Sequence, residues 1–424
     1  MKVGLYLENK NISDVDLSKP EEGNPGIGGT QFNFITLPVY FNKQYPGKAQ
    51  FTIYANTVKN LPDSIKCKKV ENCIDGAKNA AKDKCDFFIW RPTTDVEGKI
   101  FTKKLDSFNI PIIAWVHNTP SDIHMLDKMA YSKYLKRFVC VSQEQLDRLR
   151  DHPIFYKSVC IFNGFDYTNY VPKRNVVKAG NKVVYLGSLV PAKGFQLLAK
   201  NWKSIKSQVP SAKLVVIGSG RLYNRNQKLG MWGIAEENYE NSWRKYLMDK
   251  QGERDKSVIF KGTLGIEKID ILQEADVGVV NPSGKTENCP GAAIEFQASG
   301  VPVVSGAYRG LLDTVVHNKT GLLGKSENDL IDNIVYLLKN PVEAEYLGKN
   351  GIKFIQGKFS YSVICKDWLE LFKSVKNDEK VKTNYIKQFP FSNFKIIREF
   401  IRVIKIFVPF IPSIRRIRRY LGRS

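Results

Sequence analysis

The sequence predicts an α/β protein of two domains, each built from βαβ units around a parallel sheet. Three observations carry that expectation. Short apolar runs alternate with helical patterns through the first half, the order that builds a parallel sheet. A chain of 424 residues exceeds what one ordinary hydrophobic core organises. A strand–loop–helix–strand corner is also legible in NPSGKTENCPGAAIEFQASGVPVV, residues 281–304.

The expected strands of the first domain are residues 3–7, 51–54, 87–90, 111–116 and 138–142. Between the first of these and its helix lies GNPGIGGT, residues 23–30. A glycine-rich turn there brings backbone N–H groups up to a diphosphate, although the G-x-G-x-x-G order is absent. His117 follows the strand PIIAWV directly; a lone histidine after a strand is commonly a structural residue. A polar, proline-marked linker is expected over 167–180.

The second domain opens with a strand at 182–186 and the turn GSLVPAKG, residues 187–194, before an amphipathic helix. Lys193 in that turn is placed to neutralise a diphosphate, as a P-loop lysine does, with a solvated surface lysine as the alternative. Residues 275–280 read as a buried strand, broken by Asn281, Pro282, Ser283 and Gly284. Pro290 fits a first helical turn, Gly300 a helix stop and 301–304 the next strand. Glu287 then sits at the carboxyl end of a strand, where open α/β sheets bind ligands, and Glu295 about one turn into the helix. Between them Gly291, Ala292 and Ala293 would offer N–H groups at a helix N-terminus. Spacing alone does not distinguish this pair from chance; the whole string does.

Composition sets the frame. Forty-three per cent hydrophobic and 25% charged residues is an ordinary globular balance. Seven cysteines without a C-x-x-C pair argue for a reducing compartment and against a disulfide frame or zinc site. The N-terminus lacks the apolar core of a signal peptide, and no 18-residue apolar run spans a bilayer. Asp14-Val-Asp16 lies in a long loop and reads as solvated rather than metal-binding. The net charge of +23 is the outlier and predicts an anionic partner.

Glu287, seven intervening residues and Glu295, followed by ASGVPVV, resemble the E-x7-E motif of the retaining GT-B glycosyltransferases of family four. The resemblance implies two facing Rossmann-like domains with a cleft between them. Residues 1–170 would form the acceptor side and 171–358 the nucleotide-sugar side, with a helix returning to the first domain over 359–384. It assigns Glu295 to the ribose hydroxyls, Glu287 to the donor sugar, and the amides of Gly291, Ala292 and Ala293 to sugar and phosphate. Gly28 and Gly29 would face the phosphates, His117 would lie near the donor sugar, and Gly262 would meet the base. GSLVPAKG is similar to the family's G-R…K-G segment, which gives Lys193 the leaving diphosphate. Ser188 stands where many members have arginine, and Arg221 is a possible substitute.

The activity implied is retaining transfer of a sugar from a nucleotide-diphosphate sugar to a glycan or lipid-linked hydroxyl, in cell-surface polysaccharide assembly. No metal or cofactor is expected. Nucleotide-sugar epimerisation, phosphorolysis and non-catalytic binding at a membrane are the alternatives. Segment 222–250 has no counterpart in this scheme.

Residues 385–424 carry ten Lys/Arg against one acid, Glu399, a net +9. From 394 to 408 apolar residues recur at three- and four-residue steps, with Lys395, Arg398, Arg402 and Lys405 largely on the other face. This predicts a basic amphipathic helix on an anionic membrane surface, placing the protein on the inner, cytoplasmic face. Pro409 and Pro412 end it before Arg415, Arg416, Arg418 and Arg419, a cluster gaining on the order of 1 kcal/mol per residue near such a surface. Docking on the protein's own surface and nucleic-acid binding are the alternatives; no nucleic-acid module accompanies the tail.

Overall fold

The computed structural model describes the chain apart from residues 173–177, 179, 223–225, 383, 384, 387 and 422–424. The central part of the expected 167–180 linker therefore lies outside the described residues. The chain forms two units. The first comprises Met1–Pro20, Thr30–Gly164 and Tyr361–Ser424; the second comprises Glu21–Gly29 and Phe165–Ser360.

The first unit holds seven parallel strands: β1 (Lys2–Leu7), β2 (Gln50–Ala55), β3 (Lys66–Lys69), β4 (Phe87–Trp90), β5 (Ile112–Val116), β6 (Leu135–Cys140) and β7 (Ser158–Cys160). Their order is 3-2-1-4-5-6-7, and Leu5 lies in register with Ile53 on one side and Ile89 on the other. Strands so buried are nearly continuous in apolar residues, as parallel strands covered on both faces must be. The two short strands β3 and β7 escaped the sequence reading because KCKK and SVC have neither the length nor the apolar run of a core strand.

The second unit repeats the plan with β8 (Lys182–Leu186), β9 (Lys213–Ile217), β10 (Val258–Gly262), β11 (Val277–Val280), β12 (Val303–Gly306) and β13 (Gly321–Gly324). The order is 10-9-8-11-12-13, all parallel. In both sheets the winding reverses, between β1 and β4 and between β8 and β11. Such a reversal opens a crevice at the carboxyl ends of the strands.

One part differs from the expected domain limits. Glu21–Gly29, assigned to the first domain by sequence order, groups with the second unit. Its chain approaches the loop after β10 so closely that a Cβ on Gly26 would lie 2.9 Å from the Thr263 methyl. Of segment 222–250, without a counterpart above, the described residues 226–250 gather around one carboxylate. The fully buried Glu240, in the helix Glu237–Arg244, accepts the backbone N–H groups of Trp232 (2.6 Å), Ile234 (2.9 Å) and Ala235 (3.1 Å). Trp232 and Trp243 then pack on Phe260 of β10 and Phe195.

The tail also differs. Its helix Lys395–Ile404 is amphipathic as expected, but Lys395 and Arg398 are buried against the first unit rather than solvated. Lys395 pairs with Glu144, and Arg398 with Asp151 at 2.6 Å. The basic face expected on an anionic membrane surface is thus a docking face, the alternative named for it, because the 143–151 segment presents complementary acids along one side.

His117 is buried beyond the end of β5, 5.0 Å from the Trp115 ring centroid. Burial pushes its pKa down to about 3, with Arg91 adding to the effect against hydrogen bonds to Asn163 and the Trp115 backbone. His152 is lowered to about 4, again chiefly by burial. Unfolded histidine binds a proton near pH 6.5, so between there and about pH 3 the unfolded chain holds protons the folded chain refuses. The contribution of these two histidines to stability is full above about pH 6.5 and is lost as pH falls through that window. His117→Gln should make the loss shallower between pH 6.5 and 4, read from thermal midpoints against pH. Glu240→Gln should cost about 2–3 kcal/mol in chemical denaturation, since a charged acceptor of three buried amides is removed.

Candidate functional site

The site is built where β8 and β11 part. After β8 the chain turns back on itself: the Tyr185 hydroxyl donates to the Lys193 carbonyl at 3.0 Å, and Pro191–Lys193 form a single 3₁₀ turn. Gly194 then takes a left-handed φ of +70°, and a Cβ there would lie 2.8 Å from the backbone nitrogen of Ser283. Only glycine lets the loops after β8 and β11 approach this closely.

Asn281 fastens the two loops. It has a left-handed φ of +33° and is buried. Its Nδ2 donates to the Ala192 carbonyl at 3.1 Å, to Thr286 Oγ1 at 3.2 Å and to Glu287 Oε1 at 3.0 Å. Its Oδ1 accepts from the Ser283 hydroxyl at 2.6 Å and the Gly284 N–H at 3.1 Å. Asparagine tolerates this backbone and bonds locally with both ends of its amide, which explains the residue type.

Two ion pairs result. Lys193 Nζ meets Glu287 Oε1 at 2.6 Å, and Lys268 Nζ meets Glu295 Oε2 at 3.0 Å. Glu295 rides on the helix Gly291–Ala298, which seats Phe296 on β11 where a Cβ on Gly278 would lie 2.5 Å from the ring. Pro290 caps that helix without a side-chain hydrogen bond. The N–H groups of Gly291 and Ala292 lie ahead of the first intrahelical bond, at the positive end of the helix. Ala293 is a correction to the sequence reading. Its N–H donates to the Pro290 carbonyl at 3.2 Å and its side chain is buried, so the helix itself consumes the group expected to serve a ligand.

A cavity of about 210 Å³ brings these parts together. Gly29, Lys193, Glu287, Gly291, Ala292 and Glu295 all line it, with Ser188 and Lys268. Gly28 is not on its wall, and in place of Gly262 its neighbours Thr263 and Leu264 are. Gly262 ends β10, where its carbonyl accepts from the Gly218 N–H at 2.8 Å. His117 belongs to the other unit. Arg221 is not on the cavity wall, and its Nε donates to the Gln227 carbonyl at 3.0 Å. The second cation of the cavity is Lys268, which sequence reasoning missed. Its only signal was a lysine in a short helix before β11, and lysines are common there. Among the described residues, no group of three or more His, Cys, Asp or Glu is placed to hold a metal ion.

Comparison with known proteins finds relatives of the second unit and neighbours of the whole fold. Residues 166–354 match the family model described as glycosyl transferases group 1. A GDP-mannose-dependent alpha-(1-6)-phosphatidylinositol monomannoside mannosyltransferase of Mycobacterium tuberculosis is 28% identical over 192 residues, 43% of this chain and 45% of that protein. The capsular polysaccharide biosynthesis glycosyltransferase CapM of Staphylococcus aureus is 30% identical over 189 residues, 44% of this chain and 43% of that protein. The chain thus aligns with less than half the length of these relatives. Among solved structures, a sucrose-phosphate synthase from Thermosynechococcus elongatus superimposes with a TM-score of 0.68 at 18% identity, covering 89% of this chain and 100% of that one. A glycosyltransferase from Rickettsia africae gives 0.67 at 14% identity, covering 89% and 99%. Residues 166–354 therefore match the glycosyl transferases group 1 model, within a chain whose two Rossmann-like units have the GT-B fold.

Proposed function

We propose that the protein is a retaining glycosyltransferase that moves a sugar from a nucleotide-diphosphate sugar to a hydroxyl of a glycan or lipid-linked acceptor. One observation carries the reading: two lysine–glutamate pairs and the start of a helix face a single cavity at the sheet's switch point. Carboxylates suit the ribose and sugar hydroxyls, while lysines and amides suit phosphate oxygens. The names of the mannosyltransferase and capsular relatives support a nucleotide-sugar donor and an acceptor in lipid-linked or cell-surface polysaccharide assembly.

In this reading Glu295 holds the ribose, and Glu287 lies against the donor sugar. As the anomeric C–O bond breaks, negative charge gathers on the departing diphosphate. Lys193, the Gly291 and Ala292 amides and the backbone near Gly29 meet that charge. Groups already oriented in a partly enclosed site need little reorganisation, so catalysis is chiefly electrostatic. No metal or cofactor is assigned. The 385–424 segment is proposed to hold the protein peripherally on the inner face of the membrane.

The test incubates the full chain with a panel of nucleotide sugars and extracted membrane lipid. Acceptor-dependent nucleotide release that survives EDTA, giving a product of unchanged anomeric configuration, is expected; binding without turnover, or an altered free nucleotide sugar, would reject transfer. Glu295→Gln should weaken nucleotide affinity by about 1.5–3 kcal/mol in calorimetry, the value of a hydrogen bond to a charged group. An unchanged affinity would remove the ribose role. Lys193→Met should lower kcat about 10²–10³-fold, more than it alters nucleotide affinity. His117→Asn should lower kcat with nucleotide affinity kept, if the histidine acts on the donor sugar; unchanged kcat would leave it structural.

A further inference from the structure

The tail is docked with its polar side inward. Lys395 is 1% exposed and lies between Glu144 and Asp147, the latter 3.6 Å away. Arg398 meets Asp151 at 2.6 Å, Lys405 Nζ donates to the Asp151 carbonyl at 2.5 Å, and Arg416 reaches Asp127 at 2.6 Å. Glu399, the one acid of the tail, is held by Arg150 at 3.0 Å and Arg402 at 2.5 Å. The apolar face therefore points away from the unit: Phe400 is 64%, Phe407 80% and Phe410 91% exposed, in a strip that includes Ile397 and Ile406. Monomeric soluble proteins rarely leave such an apolar strip uncovered.

We propose that this outward strip inserts into the interface of an anionic lipid bilayer, and that the basic face serves to clamp the tail to the protein. The inference rests on the peripheral-membrane reading above and reverses its working parts. Charge complementarity selects the occupant. Arg418 and Arg419 are exposed in the helix Ile414–Tyr420, with the Arg418 guanidinium 5.3 Å from the Phe394 ring centroid, and the segment's one carboxylate is already paired inward. The outer surface is thus apolar and basic, the combination that anionic headgroups over acyl chains satisfy. A second copy would set these arginines against one another on a chain of net charge +23.

Deleting the tail is a poor test, because it strips the partners from buried Glu144, Asp147 and Asp151. Substitutions on the exposed strip avoid that problem. The full chain, Phe400→Asp/Phe407→Asp and Arg418→Gln/Arg419→Gln are sedimented with vesicles of phosphatidylglycerol and phosphatidylcholine, and with phosphatidylcholine alone. The native chain should bind the mixed vesicles and keep a substantial part of that binding at 0.5 M salt (roughly a 4–5 Å Debye length). The double aspartate should lose at least about tenfold in affinity with an unchanged melting profile. The arginine variant should weaken only on anionic vesicles. If the native chain binds but the aspartates change nothing, insertion is overturned and the peripheral reading stands on the basic residues alone. Binding to neither vesicle overturns both. A native dimer that the aspartates convert to a monomer, without vesicle binding, makes the strip a self-interface and overturns the proposal.

Discussion

The side chain of Asn281 is the fastening on which the site depends. Five hydrogen bonds tie one buried amide to the loops on both sides of the sheet's switch point. The Thr286 hydroxyl, donating to the same Ala192 carbonyl at 2.8 Å, reinforces the tie between the turn carrying Lys193 and the loop carrying Glu287. Across this tie a lysine and a carboxylate from residues 94 apart in sequence are held at 2.6 Å. Gly194 is the steric half of the same constraint, since the loops meet only where no Cβ intervenes.

Much of this frame is legible in the sequence because its causes are local. Apolar runs bounded by glycine, proline and asparagine mark the core strands, and the strand–loop–helix corner places Glu287 and Glu295. What stays hidden depends on contacts between distant residues. Asn281 reads as a loop breaker until its partners at 192, 286 and 287 are in place. Lys268 reads as an ordinary helix lysine until Glu295 lies beside it. Ala293 reads as an available donor, although whether the first helical bond reaches back to Pro290 is settled by the geometry of the turn.

The tail shows the same limit in another form. Periodicity divides a helix into an apolar and a basic face but does not say which one the protein will claim. Here the decision is made some 250 residues earlier, by Glu144, Asp147 and Asp151 on the first unit. Buried ions demand partners more strictly than exposed hydrocarbon demands cover, and the folded chain meets the stricter demand first. The segment around Glu240 follows the same rule, with three backbone amides in place of basic side chains.

The paired charges of the cavity have a bearing on selectivity. Two lysines and two glutamates offset one another in formal charge, which leaves the start of the helix as the pocket's remaining positive end. A ligand that enters must exchange partners: each anion that takes a lysine leaves a glutamate needing hydroxyl donors. Inorganic phosphate offers only the first half of that exchange and a neutral monosaccharide only the second. A molecule bearing a diphosphate between two polyols completes both halves together. Discrimination then comes from the cost of an incomplete swap as much as from the fit of the complete one.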